Sequence, residues 1–149
     1  MRIGLRPATA EDSEFCFRVH RAAMGAYVAE VWGWDDEVQA GYHRRAFEPG
    51  RFQVITVDGA DAGMLVVQRR PDEIYLGRIE LDPPYQGRGV GGRLIGGLLR
   101  EAAAAGLPLT LDVLVVNSRA RALYQRLGFR ELGRHGDNEV KIRMRAGPG

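Results

Sequence analysis

The sequence predicts a mixed α+β fold: a central, mostly antiparallel sheet with one parallel βαβ crossover, flanked by helices. Three observations carry that expectation. Between residues 51 and 81, three apolar runs alternate with the turn pairs Asp58-Gly59 and Pro71-Asp72, the pattern of an antiparallel meander. A glycine-rich loop then opens onto a helix, and an apolar strand at 109–115 follows. Strand, helix, strand is the crossover that two parallel neighbours require. The length of 149 residues suits one domain.

Each element has a local cause. Ile3-Gly4-Leu5-Arg6-Pro7 alternates as a short first strand. Thr9 offers an N-cap, and Asp12 stands where a capping box places its acid. Phe15, Val19, Ala22, Ala23 and Ala26 follow near helical spacing, so the first helix runs to about residues 28–30. Trp32-Gly33-Trp34-Asp35-Asp36-Glu37 breaks it. Asp35 caps a second helix through Val38, Tyr42 and Ala46 to Phe47, which Pro49-Gly50 ends. The meander strands occupy 51–57, 62–69 and 73–81. Val90, Leu94, Ile95, Leu98 and Leu99 then fall on one helical face, and Gly106 supplies the C′ position. A helix over 117–127 ends at Gly128, short strands near 130–132 and 140–144 close the chain, and 146–149 reads as a loose tail.

Composition narrows the function classes. The chain is 45% hydrophobic and 27% charged, as globular proteins are. A net charge of +2 is too small for nucleic acid to be the main partner. Of the 21 basic residues only Lys141 is lysine, and Arg44-Arg45 and Arg69-Arg70 read as solvated surface. Cys16 is the one cysteine, so no internal disulfide forms and a reducing cytoplasm is expected, with the thiol packed in the core. The N-terminus lacks the apolar run of a signal peptide, and no stretch approaches the ~20 apolar residues of a membrane span. His20 and His43 have no metal-ligand spacing with each other or with Cys16, so no metal site is expected.

The chemistry concentrates in Gln86-Gly87-Arg88-Gly89-Val90-Gly91, between a strand and a helix. Glycines let a ligand approach the main chain, and the first helical turn offers unpaired N–H groups at a positive dipole end. Such a loop suits a diphosphate, with Arg88 and Arg93 at its rim. The bland alternative is a tight turn that needs glycine for geometry. A dinucleotide fingerprint is the other: Gly87, Gly89 and Gly92 satisfy G-x-G-x-x-G, and Asp112 stands twenty residues past Gly92. That fingerprint belongs to the first unit of a six-stranded parallel sheet. Only 57 residues follow Gly92, and the preceding meander has no place in it.

Two motifs together resemble the GNAT acetyltransferase superfamily. Gln86-x-x-Gly89-x-Gly91, after Ile79-Glu80-Leu81-Asp82-Pro83, resembles its coenzyme-binding motif. Asn117-Ser118-Arg119-Ala120-Arg121-Ala122-Leu123-Tyr124-Gln125-Arg126-Leu127-Gly128-Phe129 resembles its second motif, N-x-x-A-x-x-x-Y-x-x-x-G-F. The resemblance covers nearly the whole chain and implies the GNAT fold, acetyl-CoA as co-substrate, and acetyl transfer to a primary amine of a small molecule or peptide. It implies that the main chain of Glu80, Leu81 and Asp82 pairs with the pantetheine arm. It implies that the amides of Gln86, Gly87, Arg88, Gly89, Val90 and Gly91 hold the pyrophosphate. Asn117 bonds the pantetheine or the chain beside it, Ala120 leaves room, and Tyr124 sits near the sulfur. Asn117 and Tyr124 are seven apart, hence on one helical face. Outside the motif, Tyr124 would read as a core aromatic.

Acyl transfer to an amine requires deprotonation of an ammonium, a donor for the developing oxyanion and an acid for the departing thiolate. The Leu81 N–H is the natural donor, and Tyr124 the acid. Two carboxylates compete as base. Asp112 lies in an apolar strand, at a position where some family members carry an acid; its alternative is a structural hydrogen bond. Glu80 ends the third meander strand; its alternative is a surface acid beside Arg78. Deprotonation by bulk water needs neither. In the implied fold, Tyr27, Trp32, Trp34, Asp35, Asp36, Glu37 and His43 roof the acceptor, where aromatics and acids suit a cationic amine. The plain alternative there is that one tryptophan packs under the loop and Asp35 caps a helix. A non-catalytic acyl-CoA-binding module is the alternative reading of the whole, and C-terminal edge strands leave a homodimer open.

Overall fold

The computed structural model describes residues 1–148; Gly149, the last residue of the expected tail, lies outside the described residues. The strands are β1 (Ile3–Pro7), β2 (Gln53–Val57), β3 (Ala60–Arg69), β4 (Ile74–Leu81), β5 (Leu109–Leu114), β6 (Arg130–His135) and β7 (Lys141–Ala146). The helices are α1 (Ser13–Trp32), α2 (Asp36–Ala46), α3 (Val90–Ala105) and α4 (Ser118–Arg126). The strand order is β1-β2-β3-β4-β5-β7-β6. β1–β2, β2–β3, β5–β7 and β6–β7 pair antiparallel, and β4–β5 is the parallel pair of the crossover. The expected fold class therefore holds.

Where boundaries differ, the turn chemistry explains it. α1 continues to Trp32 because nothing before Gly33 stops it. Gly33 adopts φ 82, and its N–H bonds the Ala29 carbonyl at 3.0 Å. Asp35 caps α2 as expected, its Oδ1 accepting from the Val38 N–H at 3.0 Å. Asp58 (φ 51) and Gly59 (φ 84) form the hairpin turn with both central residues left-handed. Ala146 is buried as the last residue of β7, so the chain stays anchored beyond the point expected for the tail.

The chain divides into two compact units. The first comprises Met1–Val66 and Arg78–Val90. Its core gathers Ala8, Cys16, Phe52, Val54, Met64 and Val66, with Phe15 and Phe47 against them. Burial raises the Cys16 thiol to about 11, so it is an inert core group, as expected. Arg6 of β1 ties this unit together: its guanidinium donates a fork to Asp12 at 2.8 and 2.9 Å and reaches Asp61 of β3 at 2.9 Å. The Asp12 carboxylate also accepts the Thr9 N–H at 2.8 Å, the returning arm of the expected capping box. The Arg6 bonds hold Asp12 at about 2 against the upward push of burial.

The second unit comprises Val67–Gly77 and the chain from Gly91 onward. Leu109, Leu111, Ile142 and Met144 are fully buried on facing strands, each burial contributing about 1.5–3 kcal/mol. The β4–β5 ladder joins Ile74–Leu76 to Leu109–Leu111, and β4 runs on to Leu81. Gly106 ends α3 at φ 69, as its C′ placement predicts.

Candidate active site

The end of β4 is shaped by a bulge in β3. Ile55 pairs with Gly63 and Thr56 with Asp61, leaving Ala62 as the extra residue. The Asp82 N–H bonds the Ala62 carbonyl at 2.8 Å. The Glu80 carbonyl oxygen lies so close over Gly63 that a β-carbon there would collide with it. Glu80 and Asp82 thus turn their peptide groups toward β3. By strand alternation, the main chain of Leu81 faces the opposite edge. On that edge its carbonyl accepts the Gln86 side-chain amide at 2.8 Å, so the Gln86 side chain locks β4 to the following loop.

The Glu80 side chain is 8% exposed, which excludes the surface acid beside Arg78. Arg78 instead lies over the Phe52 ring. His20, from the middle of α1, places Nδ1 2.6 Å from Glu80 Oε1. At that distance the two side chains share a hydrogen bond, in which an Nδ1–H donates when Glu80 is a carboxylate. His20 begins a row of rings. Its centroid is 6.1 Å from Trp34; Phe17 is 6.3 Å from Trp34 and 5.5 Å from His43, which is 5.2 Å from Phe47.

The residues expected to roof the acceptor separate in this unit. Trp34 stands beside Phe17 and His20, and its Nε1–H donates to Asp36 at 2.7 Å. Asp36 also accepts from Arg21, whose guanidinium covers the Phe17 ring. A cation of the protein itself therefore occupies that aromatic face, and Asp35 is spent on its cap. His43 is buried, its Nε2 3.0 Å from Ser13 Oγ, and burial lowers its imidazole from the usual value. Trp32 is 56% exposed on the last turn of α1, and Tyr27 is half-buried two turns past His20. Glu37 lies in the exposed first turn of α2.

The glycine loop has the expected character. After a 3-10 turn at Pro83–Tyr85, Gly87 (φ 72) and Gly89 (φ 80) take left-handed conformations that favour glycine. A β-carbon at Gly89 would meet nothing within 4 Å, so the space over the loop is open. α3 follows at Val90 with no acidic residue in its first turn, and Arg88 lies over the Tyr85 ring. Glycine-rich, acid-free main chain at a helix start, with open space over Gly89, fits a diphosphate.

In the second unit, Asn117 is the N-cap of α4, its Oδ1 accepting the Ala120 N–H at 3.2 Å. That oxygen bonds the chain beside it, one of the two partners expected of Asn117. Tyr124 is half-buried with its ring 5.7 Å from Phe129. Asp112 is the residue the structure redefines. It faces Arg143 across the β5–β7 ladder. It accepts from Arg143 at 2.9 and 3.1 Å, from the Tyr75 hydroxyl at 2.7 Å and from His135 Nε2 at 2.6 Å. Burial pushes its carboxyl up, but these donors outweigh that and hold it at about 2. So saturated a carboxylate has little basicity; the structural alternative describes it.

Both depressed carboxyls bear on acid stability. A carboxyl held below its unfolded value of 3.8 adds stability that is complete above that value and is lost as pH falls through the folded value. Stability is therefore expected to drop between about pH 4 and 2, by roughly 1–2 kcal/mol for each of Asp12 and Asp112. Asp112→Asn should lower the melting temperature at neutral pH and shallow that drop. An acid limb identical to the wild type's would refute the assignment.

By sequence His20 was weighed only as a metal ligand, and Gly63, Tyr75 and Arg143 were not singled out. A glycine inside a strand pattern is the one signal that could have pointed to Gly63, since it marks a bulge or a close main-chain approach.

Residues 11–129 match the model of the Acetyltransferase (GNAT) family. A [Ribosomal protein bS18]-alanine N-acetyltransferase of Salmonella typhimurium is 38% identical over 78 residues, 52% of this chain and 53% of that protein. The N-alpha-acetyltransferase RimI of Mycobacterium tuberculosis is 35% identical over 106 residues, 68% and 66% of the two chains. The match to the first of these curated relatives thus spans about half of that protein's length. Among solved structures, the PaiA N-acetyltransferase of Thermoplasma acidophilum in complex with coenzyme A superposes with TM-score 0.78 at 19% identity, covering 99% of this chain and 100% of that one. The ribosomal-protein-S18-alanine N-acetyltransferase of Escherichia coli gives 0.66 at 24%, covering 98% and 94%. At those identities the likeness establishes the fold.

Proposed function

Because the chain belongs to the GNAT acetyltransferase family, we propose that it is an N-acetyltransferase that moves an acetyl group from acetyl-CoA to a primary amine by direct attack. The family match runs through both compact units, and we read them as one acyltransferase domain. The observation that carries the reading is a neighbouring pair on β4: a buried Glu80 carboxylate, and a Leu81 main chain turned away from β3. Acetyl-CoA supplies an acetyl thioester. The main chain of residues 86–91 holds its diphosphate, with Arg88 adding charge. Leu81, with its neighbours Glu80 and Asp82, pairs with the pantetheine, and the Leu81 N–H donates to the carbonyl oxygen as it gains charge. Glu80 takes the ammonium proton, and Tyr124 donates to the departing sulfur. Ala120 leaves room on the face of α4 that carries Tyr124.

The acceptor we favour is the N-terminal amine of a peptide, in keeping with the alanine and N-alpha specificities that the relatives' names carry. An α-amine, near ~8, also needs less help in losing its proton than a lysine, near ~10. Tyr27 and Trp34 are its proposed walls.

The test is acetyl-CoA turnover, read as free thiol, against an alanine-initiated hexapeptide, the same peptide N-blocked with an internal lysine, and spermidine. Turnover is expected on the first. No turnover on any, with coenzyme A bound tightly by calorimetry, would establish the binding module instead. Tyr124→Phe is expected to lower kcat about 100-fold and to leave coenzyme A affinity within about twofold. Equal activity of that variant would remove the general-acid role.

A further inference from the structure

We propose that His20 is the positioning residue of a Glu80–His20 dyad, donating Nδ1–H to Glu80 Oε1 so that the other carboxylate oxygen is held in place for the incoming amine. The inference rests on the reading of Glu80 as the base. In that step the N–H bond of the substrate ammonium breaks, an O–H bond forms at Oε2, and the freed electron pair attacks the thioester carbonyl.

Three observations carry it. The 2.6 Å separation is among the shortest side-chain contacts of the protein, and it spans 60 residues from α1 to β4. Glu80 is buried, so its carboxylate needs a donor to stay charged. Among the described residues the donor bonded to Glu80 is an imidazole and not a guanidinium, in contrast to Asp12 and Asp112. A single imidazole N–H engages one carboxylate oxygen, where a bidentate arginine takes both, so the second oxygen stays available to a substrate. Trp34, 6.1 Å from the His20 ring, helps set its orientation. The other titratable and charged groups near the dyad are Cys16 of α1, His43 of α2, Arg78 of β4, and the Arg21–Asp36 pair bound to Trp34.

His20→Phe keeps a ring and removes the donor; His20→Asn places an amide N–H close to where Nδ1 lay. The assay uses the full chain, acetyl-CoA and the alanine-initiated hexapeptide. His20→Phe is expected to cut kcat at least tenfold, leave the KM for acetyl-CoA unchanged, and move the acid limb of kcat/KM upward by about one pH unit. His20→Asn should restore the limb and most of the rate. Equal losses in both variants with an unmoved limb would make His20 merely structural, and a wild-type rate in His20→Phe would overturn the dyad. A Glu80→Gln variant that kept full activity would instead remove Glu80 as base.

A second readout needs no turnover. The chain has three histidines, so imidazole 15N spectra assign readily. His20 is expected to carry hydrogen on Nδ1 near pH 8 in the wild type. A neutral Nε2–H tautomer in the wild type would sink the proposal.

Discussion

Glu80→Gln is expected to lower kcat by about 100- to 1,000-fold while leaving acetyl-CoA affinity and the fold intact. The carboxamide has the shape of the carboxylate, and its oxygen still accepts from His20 Nδ1, so the 2.6 Å contact survives in neutral form. What disappears is the lone pair able to take a proton from an ammonium. Asp112→Asn is the matched control. The Asp112 carboxylate already accepts from Arg143, Tyr75 and His135, and those donors hold it at about 2, below the ordinary carboxylate range, which makes it a poor acceptor of an ammonium proton. Asp112→Asn should therefore cost stability and little chemistry, and Glu80→Gln the reverse. If steady-state kinetics on the hexapeptide gave the opposite ranking, Asp112 would return as the base.

The pattern of success in reading the chain has a physical cause. Elements announced by local chemistry were legible: Asp35 as a cap, Asp58-Gly59 as a hairpin turn, Gly106 as a helix stop. Each depends on a few adjacent residues, and each stands where expected. The end of α1 was misjudged by two residues because the stop belongs to Gly33, and the tryptophan before it does not terminate a helix.

The fates of the two candidate acids were not legible, because both depend on pairing across the fold. Asp112 looked odd in an apolar strand. What satisfies it is Arg143, thirty-one residues later and directly opposite in the ladder. Alternation in β7 places Arg143 and Arg145 on the face opposite Ile142 and Met144, so the strand pattern held half the answer; the register with β5 held the other half. Glu80 could be read either as a base or as a surface acid beside Arg78, and only the docking of α1 brings His20 onto it. The aromatic and acidic residues around Trp34 suggested a cation site by composition. Arg21 of α1 pairs with Asp36 and covers the Phe17 ring beside Trp34, which the linear spacing of Arg21 and Asp36 did not reveal.

Gly63→Ala should be among the most damaging single-methyl changes in the protein. In most glycine substitutions a side chain can move aside. Here the added carbon would collide with the Glu80 carbonyl oxygen, and would lie 3.0 Å from Leu81 Cδ2 and 3.1 Å from Leu81 Cα. Two of those three atoms are main chain, so relief requires β4 to retreat from the β3 bulge. That retreat strains the Asp82 N–H bond to Ala62 and displaces Glu80 and Leu81 together. Overpacking of this kind costs about 2–3 kcal/mol, which for a chain of this size lowers the melting temperature by roughly 5–10 °C. Activity should fall further than stability predicts, even well below the melting transition, because the carboxylate and the amide move with the strand. Gly97→Ala is the contrasting case. In α3 its β-carbon would meet only the Arg100 guanidinium, at 3.8 Å, and the gain in helix propensity should raise stability by about 0.5–1 kcal/mol. Calorimetry on the two variants beside the wild type decides the matter. A Gly63→Ala protein melting within about 2 °C of wild type, with full turnover, would mean that β4 does not depend on the missing side chain of its neighbour.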